Sequence, residues 1–376
     1  MSEFAAGPAG RIERVRALMV ERGYDAIVVR DEANLRWLTG VKGVFDYTFE
    51  FPHAAFITAD QCLFHTDSRY LNSFEENTPA GSPWLYDMDE GTIPGWVAGK
   101  IAANKCRVCA VEDDMQINFY QGIQRGLEDR SVACMLPLMH DDIRKMRAIK
   151  DAEEIELMRH AQSITDAAFQ HMLGFIKPGM TEKQVRNELE NFMFANGADS
   201  LAFGSIVASG PNTANPHAVP SDRVIEKGDF VLMDYGAGYC DYRSDMTRTV
   251  VMGEPTQEQL DLYALVRRTH EECVAAIHPG VEGNDIFKLS KKIIGDAGYG
   301  DYYNHGLGHG VGIDIHELPN FNRSKNIIEV GSVITMEPGV YLPGVGGVRL
   351  EDYGVVTENG YEPFTKTPHD LHVIDC

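Results

Sequence analysis

Apolar positions recur at helical spacing in RIERVRALMVERGYDAIVV, where Ile12, Val15, Leu18 and Met19 share one side; a strand from Ala26 to Val29 should follow. Strand-like runs come next at AAFIT (54–58), LFHT (63–66) and VCAVE (108–112), separated by helical or loop-like segments. That alternation predicts a layered α/β unit, a sheet with helices, over residues 1–140. Residues 45–53, FDYTFEFPH, are aromatic and irregular and are expected to form a loop bordering a site. Past residue 140 the texture changes. The segment 141–173 reads as helical from end to end, with Ile155, Met158 and Ala161 on one face, and opens a second domain over 141–376. In the next helix Thr181 and Gln184 form a capping box, and Val185, Leu189, Phe192 and Met193 an apolar stripe; Asn196-Gly197 stops it.

One strand pattern is broken. GDFVLMDYG (228–236) is apolar until Asp234, and Asp245 follows in another β-rich stretch. A buried, unpaired carboxylate on a strand is costly. An internal repeat accounts for both. IKPGMTEKQV from Ile176 resembles IHPGVEGNDI from Ile277, and each leads into a helix that ends at a glycine, Gly197 or Gly298. His217-Ala-Val-Pro matches His316-Glu-Leu-Pro, GDFVLMDYG matches GSVITMEPG, and Arg243-Ser-Asp245 matches Arg349-Leu-Glu351. The offset is 99 residues from His217 to His316 and 106 from Arg243 to Arg349, as small loop insertions would produce. Asp234 is therefore opposite Glu337, and Asp245 opposite Glu351. The symmetry fails at His309, whose counterpart is Gly210.

Four carboxylates converging in a sheet interior repel one another unless protons or cations neutralise them. Two divalent metals balance four negative charges, and oxygen-rich ligation with one imidazole suits Mn²⁺, Co²⁺, Fe²⁺ or Zn²⁺, with manganese favoured by the hard donors. The expected centre comprises Asp234, Asp245, His309, Glu337 and Glu351. Such a pair activates a water for hydrolysis. Glu337 is the candidate to move its proton. His217 and His316 are candidates to stabilise an oxyanion and steer the substrate, and Arg349 to orient Glu351.

The net charge of −22 argues against nucleic acid and anionic membranes as partners. No apolar run approaches a membrane span of about 18 residues. The N-terminal stretch lacks an apolar signal core, so a cytoplasmic protein is expected. Seven cysteines without framework spacing suit a reducing compartment; Cys106 and Cys109, a lone CxxC, are expected to be structural thiols.

The segments NTANPH (212–217), DYGAGYCDYRSDMTRT (234–249), HGLGHGVGIDIHE (305–317), MEPGVY (336–341) and VRLED (348–352) together resemble the pita-bread metallopeptidases, especially Xaa-Pro dipeptidase (prolidase) and Xaa-Pro aminopeptidase. The resemblance covers essentially the whole chain. It implies a creatinase-like α/β N-terminal domain followed by a pita-bread catalytic domain, an α+β architecture with an internal pseudo-two-fold. It also implies that Asp234, Asp245, His309, Glu337 and Glu351 hold two metals, Asp245 and Glu351 bridging them, with His217, His316 and Arg349 as active-site auxiliaries. The implied activity is cleavage of the bond before proline in dipeptides or short peptides, by a homodimer. Weighed against it are a non-peptidase enzyme on the same scaffold, creatinase-like or a lyase, and a binding protein that has lost catalysis.

Overall fold

A computed structural model describes residues 7–42, 44, 51–88, 91–322 and 325–375. The expected loop over 45–53 falls mostly outside them. The chain divides into two compact units, Met1–Met146 and Arg147–Cys376.

In the first unit the strands Leu85–Asp87, Cys62–His65, Ala54–Thr58, Ala26–Val29 and Cys109–Val111 lie side by side in that order in one sheet. Ala26–Val29 runs antiparallel to Ala54–Thr58 and parallel to Cys109–Val111. The sheet packs Val28 and Phe56 against Trp96, Ile101, Ile123 and Leu127 of the helices Ile93–Ala103 and Ile117–Asp129. Cys106 and Cys109 are part of this core, and burial pushes the Cys106 thiol up to about 11. Both therefore act as apolar filler.

The second unit repeats one motif. Its first half has the helices Ala152–Phe175 and Glu182–Ala195, then strands Ile206–Ser209, Phe230–Tyr235 and Met246–Met252, with Phe230–Tyr235 in the centre. Its second half has the helices Gln257–Ala275 and Gly283–Asp296, then strands Gly308–Gly310, Val333–Met336 and Asp352–Thr357, with Val333–Met336 in the centre. In both halves the central strand is antiparallel to both neighbours. The correspondence extends to single hydrogen bonds. Gly179 N–H donates to Ile225 O at 2.9 Å, and Gly280 N–H to Ile328 O at 2.7 Å. Both glycines adopt left-handed backbone, at φ 92° and 88°, which a side chain would strain.

The capping box at Thr181 and Gln184 forms, and Val185, Leu189 and Met193 are buried in the first half's core with Phe192 packed beside them. The long helix expected over 141–173 is instead two helices, Asp142–Arg147 and Ala152–Phe175. One distant and one local interaction break it. Ile149 forms a bridge with Ser332, its neighbour Lys150 donating to Gly331 O, and Asp151 with Glu154 caps a new N-terminus.

Candidate metal centre

The four repeat-related acids stand at adjoining ends of paired strands. Asp234 is in the central strand Phe230–Tyr235, and Asp245 immediately precedes the neighbouring strand Met246–Met252 rather than lying within it. In the other half Glu337 follows the central strand Val333–Met336, and Glu351 immediately precedes Asp352–Thr357. His309 lies in the middle of Gly308–Gly310. The glycines around it have a steric reason. A Cβ at Gly308 would lie 2.3 Å from Thr335 O, and one at Gly310 would lie 2.1 Å from Leu318 O, so only glycine lets these backbones meet.

All five side chains line one cavity of about 680 Å³. His309 Nε2 is 3.6 Å from Asp245 Oδ2 and 3.6 Å from Glu337 Oε1. Donor atoms of Asp245, His309 and Glu351 lie within 4.8 Å of one another. The Nδ1 atom of His309 is 3.0 Å from Gly310 O, an arrangement that uses Nδ1–H as the donor and leaves the Nε2 lone pair facing the acids. Burial, and then the His316 ring packed at 4.3 Å, pull His309 down to about 4, so its imidazole is neutral near pH 7.

The acids strain against one another. Burial first, and Asp234 and Glu337 next, push Asp245 well above the carboxylate range. Burial followed by Asp245 and Glu337 does the same to Glu351, and burial carries Glu337 to about 8 against the pull of Arg349. Asp234 Oδ1 is buried without a hydrogen-bond partner. An orphaned carboxylate oxygen, three further acids and a neutral imidazole aimed at them form a donor set that fits divalent cations.

Arg349 does not touch the carboxylate it was expected to orient. Its Nη2 atom donates to Asp234 Oδ2 at 2.5 Å, and it reaches Glu351 only through Thr247. Arg349 Nε donates to Thr247 Oγ1 at 3.0 Å, and Thr247 Oγ1 donates to Glu351 Oε2 at 2.7 Å. The guanidinium also donates to Pro216 O at 3.2 Å and Tyr341 Oη at 2.9 Å. His305 Nε2 meets the same Tyr341 hydroxyl at 2.9 Å, and burial holds His305 down at about 3. Sequence reasoning missed Thr247 and Tyr341. The alternation Asp245, Thr247, Thr249 puts the threonines on the strand face of the acid and was the available signal for Thr247. Thr249 Oγ1 does donate to Arg349 O, at 3.0 Å. His217 and His316 lie exposed on the cavity wall, which the half-buried Arg186, marked by no motif, also lines.

Residues 156–358 match metallopeptidase family M24, and residues 11–149 match the creatinase/prolidase N-terminal domain. The chain belongs to family M24: it is a metallopeptidase with the pita-bread fold behind a creatinase-type domain, and divalent metals are what this family works with. It is 37% identical over 372 residues to the uncharacterized peptidase YqhT of Bacillus subtilis, covering 97% of this chain and 100% of that one. A solved Xaa-Pro dipeptidase from Bacillus anthracis superposes with a TM-score of 0.89 at 36% identity, covering 98% of this chain and 100% of that one. An X-Pro aminopeptidase from Thermotoga maritima does so with a TM-score of 0.85 at 30% identity, covering 97% and 100%. Among the described residues, no helix is long and apolar enough to cross a membrane.

Proposed function

We propose that this metallopeptidase hydrolyses the bond before proline, in Xaa-Pro dipeptides or at the N-terminus of short peptides, using two divalent ions held by Asp234, Asp245, His309, Glu337 and Glu351. The observation that carries the reading is their convergence on one cavity, with Asp234 Oδ1 buried and unpartnered. Two cations held there, best matched by manganese, would supply an activated water and polarise the scissile carbonyl.

Asp245 and Glu351, one from each half, would be among the carboxylates that hold the pair. Glu337 takes the proton of the attacking water and delivers it to the leaving proline nitrogen. That nitrogen carries no hydrogen within the peptide, so proton delivery makes it a secondary amine as the C–N bond breaks. His217 and His316 on the cavity wall donate to the developing oxyanion and steer the substrate. Arg349 holds Asp234 directly and Glu351 through Thr247, fixing both carboxylates in orientation. In this reading residues 141–376 form the catalytic domain and residues 1–140 the creatinase-like domain, of a cytoplasmic homodimer.

Support for dipeptides is the likeness to the Bacillus anthracis Xaa-Pro dipeptidase, and for longer peptides the likeness to the Thermotoga maritima aminopeptidase. Assaying Xaa-Pro beside Xaa-Pro-Yaa-Zaa with added Mn²⁺ tests the proposal. Turnover of at least one is expected, the preferred length assigns the subtype, and failure on both overturns the proposal.

A further inference from the structure

A second cluster of potential metal donors lies outside the candidate centre and is independent of the proline-peptidase reading. His270 belongs to the helix Gln257–Ala275, Asp352 opens the strand Asp352–Thr357, and His369 lies in the segment after Gly360–Pro363. One nitrogen or oxygen from each lies within 4.8 Å of the others. His270 Nε2 is 3.6 Å from Asp352 Oδ2, His369 Nε2 is 2.5 Å from the same oxygen, and the two imidazoles pack at 4.7 Å.

The surroundings are built rather than accidental. Arg248 donates to Asp352 Oδ1 at 2.7 Å, which turns Oδ2 towards the two histidines. Tyr263 Oη donates to His369 O at 3.2 Å and fixes that segment. His270 is 1% exposed, and neither of its ring nitrogens has a hydrogen-bond partner. A buried donor or acceptor left unmade has given up its water without a replacement partner. The His369–Asp352 bond satisfies two members of the cluster and leaves the third stranded.

We propose that His270, Asp352 and His369 form an auxiliary site for a single imidazole-preferring divalent transition metal of the Zn²⁺ type. With metal–donor distances of about 2.0–2.2 Å, tetrahedral ligands stand roughly 3.3–3.5 Å apart. The 3.6 Å between His270 Nε2 and Asp352 Oδ2 already fits that spacing, and His369 need only withdraw by about 1 Å. His369 keeps about a quarter of its side chain exposed, so the cluster is not sealed from solvent. Arg248 places a fixed positive charge beside the site and tempers its affinity. Its hydrogen bond is also the outer-shell contact that orients a ligating carboxylate. The ion ties the segment around His369 to the second half's helix and sheet, so it stabilises the fold.

The test compares full-length wild type with His369→Ala and His369→Gln, each equilibrated with excess Zn²⁺ and freed of loosely bound ion. Wild type should retain one more zinc equivalent per chain than either variant. Zn²⁺ should also raise its melting temperature by several degrees more than it raises theirs, because a ligand that binds only the folded state stabilises it. Equal zinc content in all three proteins overturns the site. A wild-type crystal equilibrated with Zn²⁺ gives a measurement that needs no variant. An anomalous peak at the zinc edge between the two imidazoles and Asp352 is expected, and no peak there overturns the site.

Discussion

Glu317 shows how a single residue near the candidate centre contributes to stability. It is buried between Arg147 Nη2 and Lys150 Nζ, the latter at 3.0 Å, and it accepts from Asp314 N–H at 3.0 Å. Burial alone would raise its carboxyl, but Arg147 and Lys150 outweigh that and draw it down to about 2, below the ordinary 4.5. A depressed acid stabilises the fold fully above its unfolded pKa, and the contribution fades as pH falls from there through the folded value. Glu317→Gln is therefore expected to lose about 3 kcal/mol of unfolding free energy at pH 7. The deficit should shrink below about pH 4.5 towards pH 2. Denaturant melts of both proteins across that range check this, and a deficit equal at pH 7 and at the acid end contradicts it. Arg349 is the other telling residue, because one planar guanidinium serves Asp234, Thr247, Pro216 and Tyr341 together. Arg349→Lys keeps the charge but not the fork, and should reduce metal affinity or turnover by about 10–100-fold. Wild-type values for both would show that the charge alone suffices. The sequence marked Arg349 by its place in the repeat. It could not reveal that the contact skips Glu351 for Asp234, because that depends on how the two halves face each other.

At the scale of elements, the strands and the helix caps were legible because local rules act on them without help. The Thr181–Gln184 box forms as the spacing predicts, and Thr181→Ala should cost about 1 kcal/mol, lowering the melting temperature by about 2–4 °C. A calorimetric scan reads this directly, and an unchanged transition would mean that the cap contributes nothing. The long helix was misread for a non-local reason. Its charge and periodicity favour continuous helix, yet the pairing of Ile149 with Ser332 captures the backbone and interrupts it. Pairing partners nearly two hundred residues away leave no mark on helical propensity. Gly308 and Gly310 in HGLGHGVG are the converse case, visible in the sequence but explicable only by close backbone approach. Gly310→Ala drives a Cβ to within 2.1 Å of Leu318 O beside His309 and is expected to destabilise the fold by roughly 1–3 kcal/mol or more. An unaltered denaturation midpoint would contradict that steric argument.

For the whole molecule, duplication is the feature from which most else follows. Two halves of the second unit share their strand order, their glycine turns and their paired acids, and this is why the candidate site could be assembled from sequence. Each acid alone was ambiguous; their register against one another singled out four. His309 was found as the exception to the repeat, and Thr247 and Tyr341 were hidden because neither breaks a pattern. Everything proposed for catalysis requires that Asp234, Asp245, His309, Glu337 and Glu351 hold the metals. The most direct test is manganese content together with Xaa-Pro hydrolysis in wild type and Asp245→Ala, with folding checked by circular dichroism. Two manganese equivalents are expected in wild type and at most one in the variant, with a loss of turnover of at least about 100-fold. A folded Asp245→Ala with wild-type manganese content and near-normal turnover would contradict it.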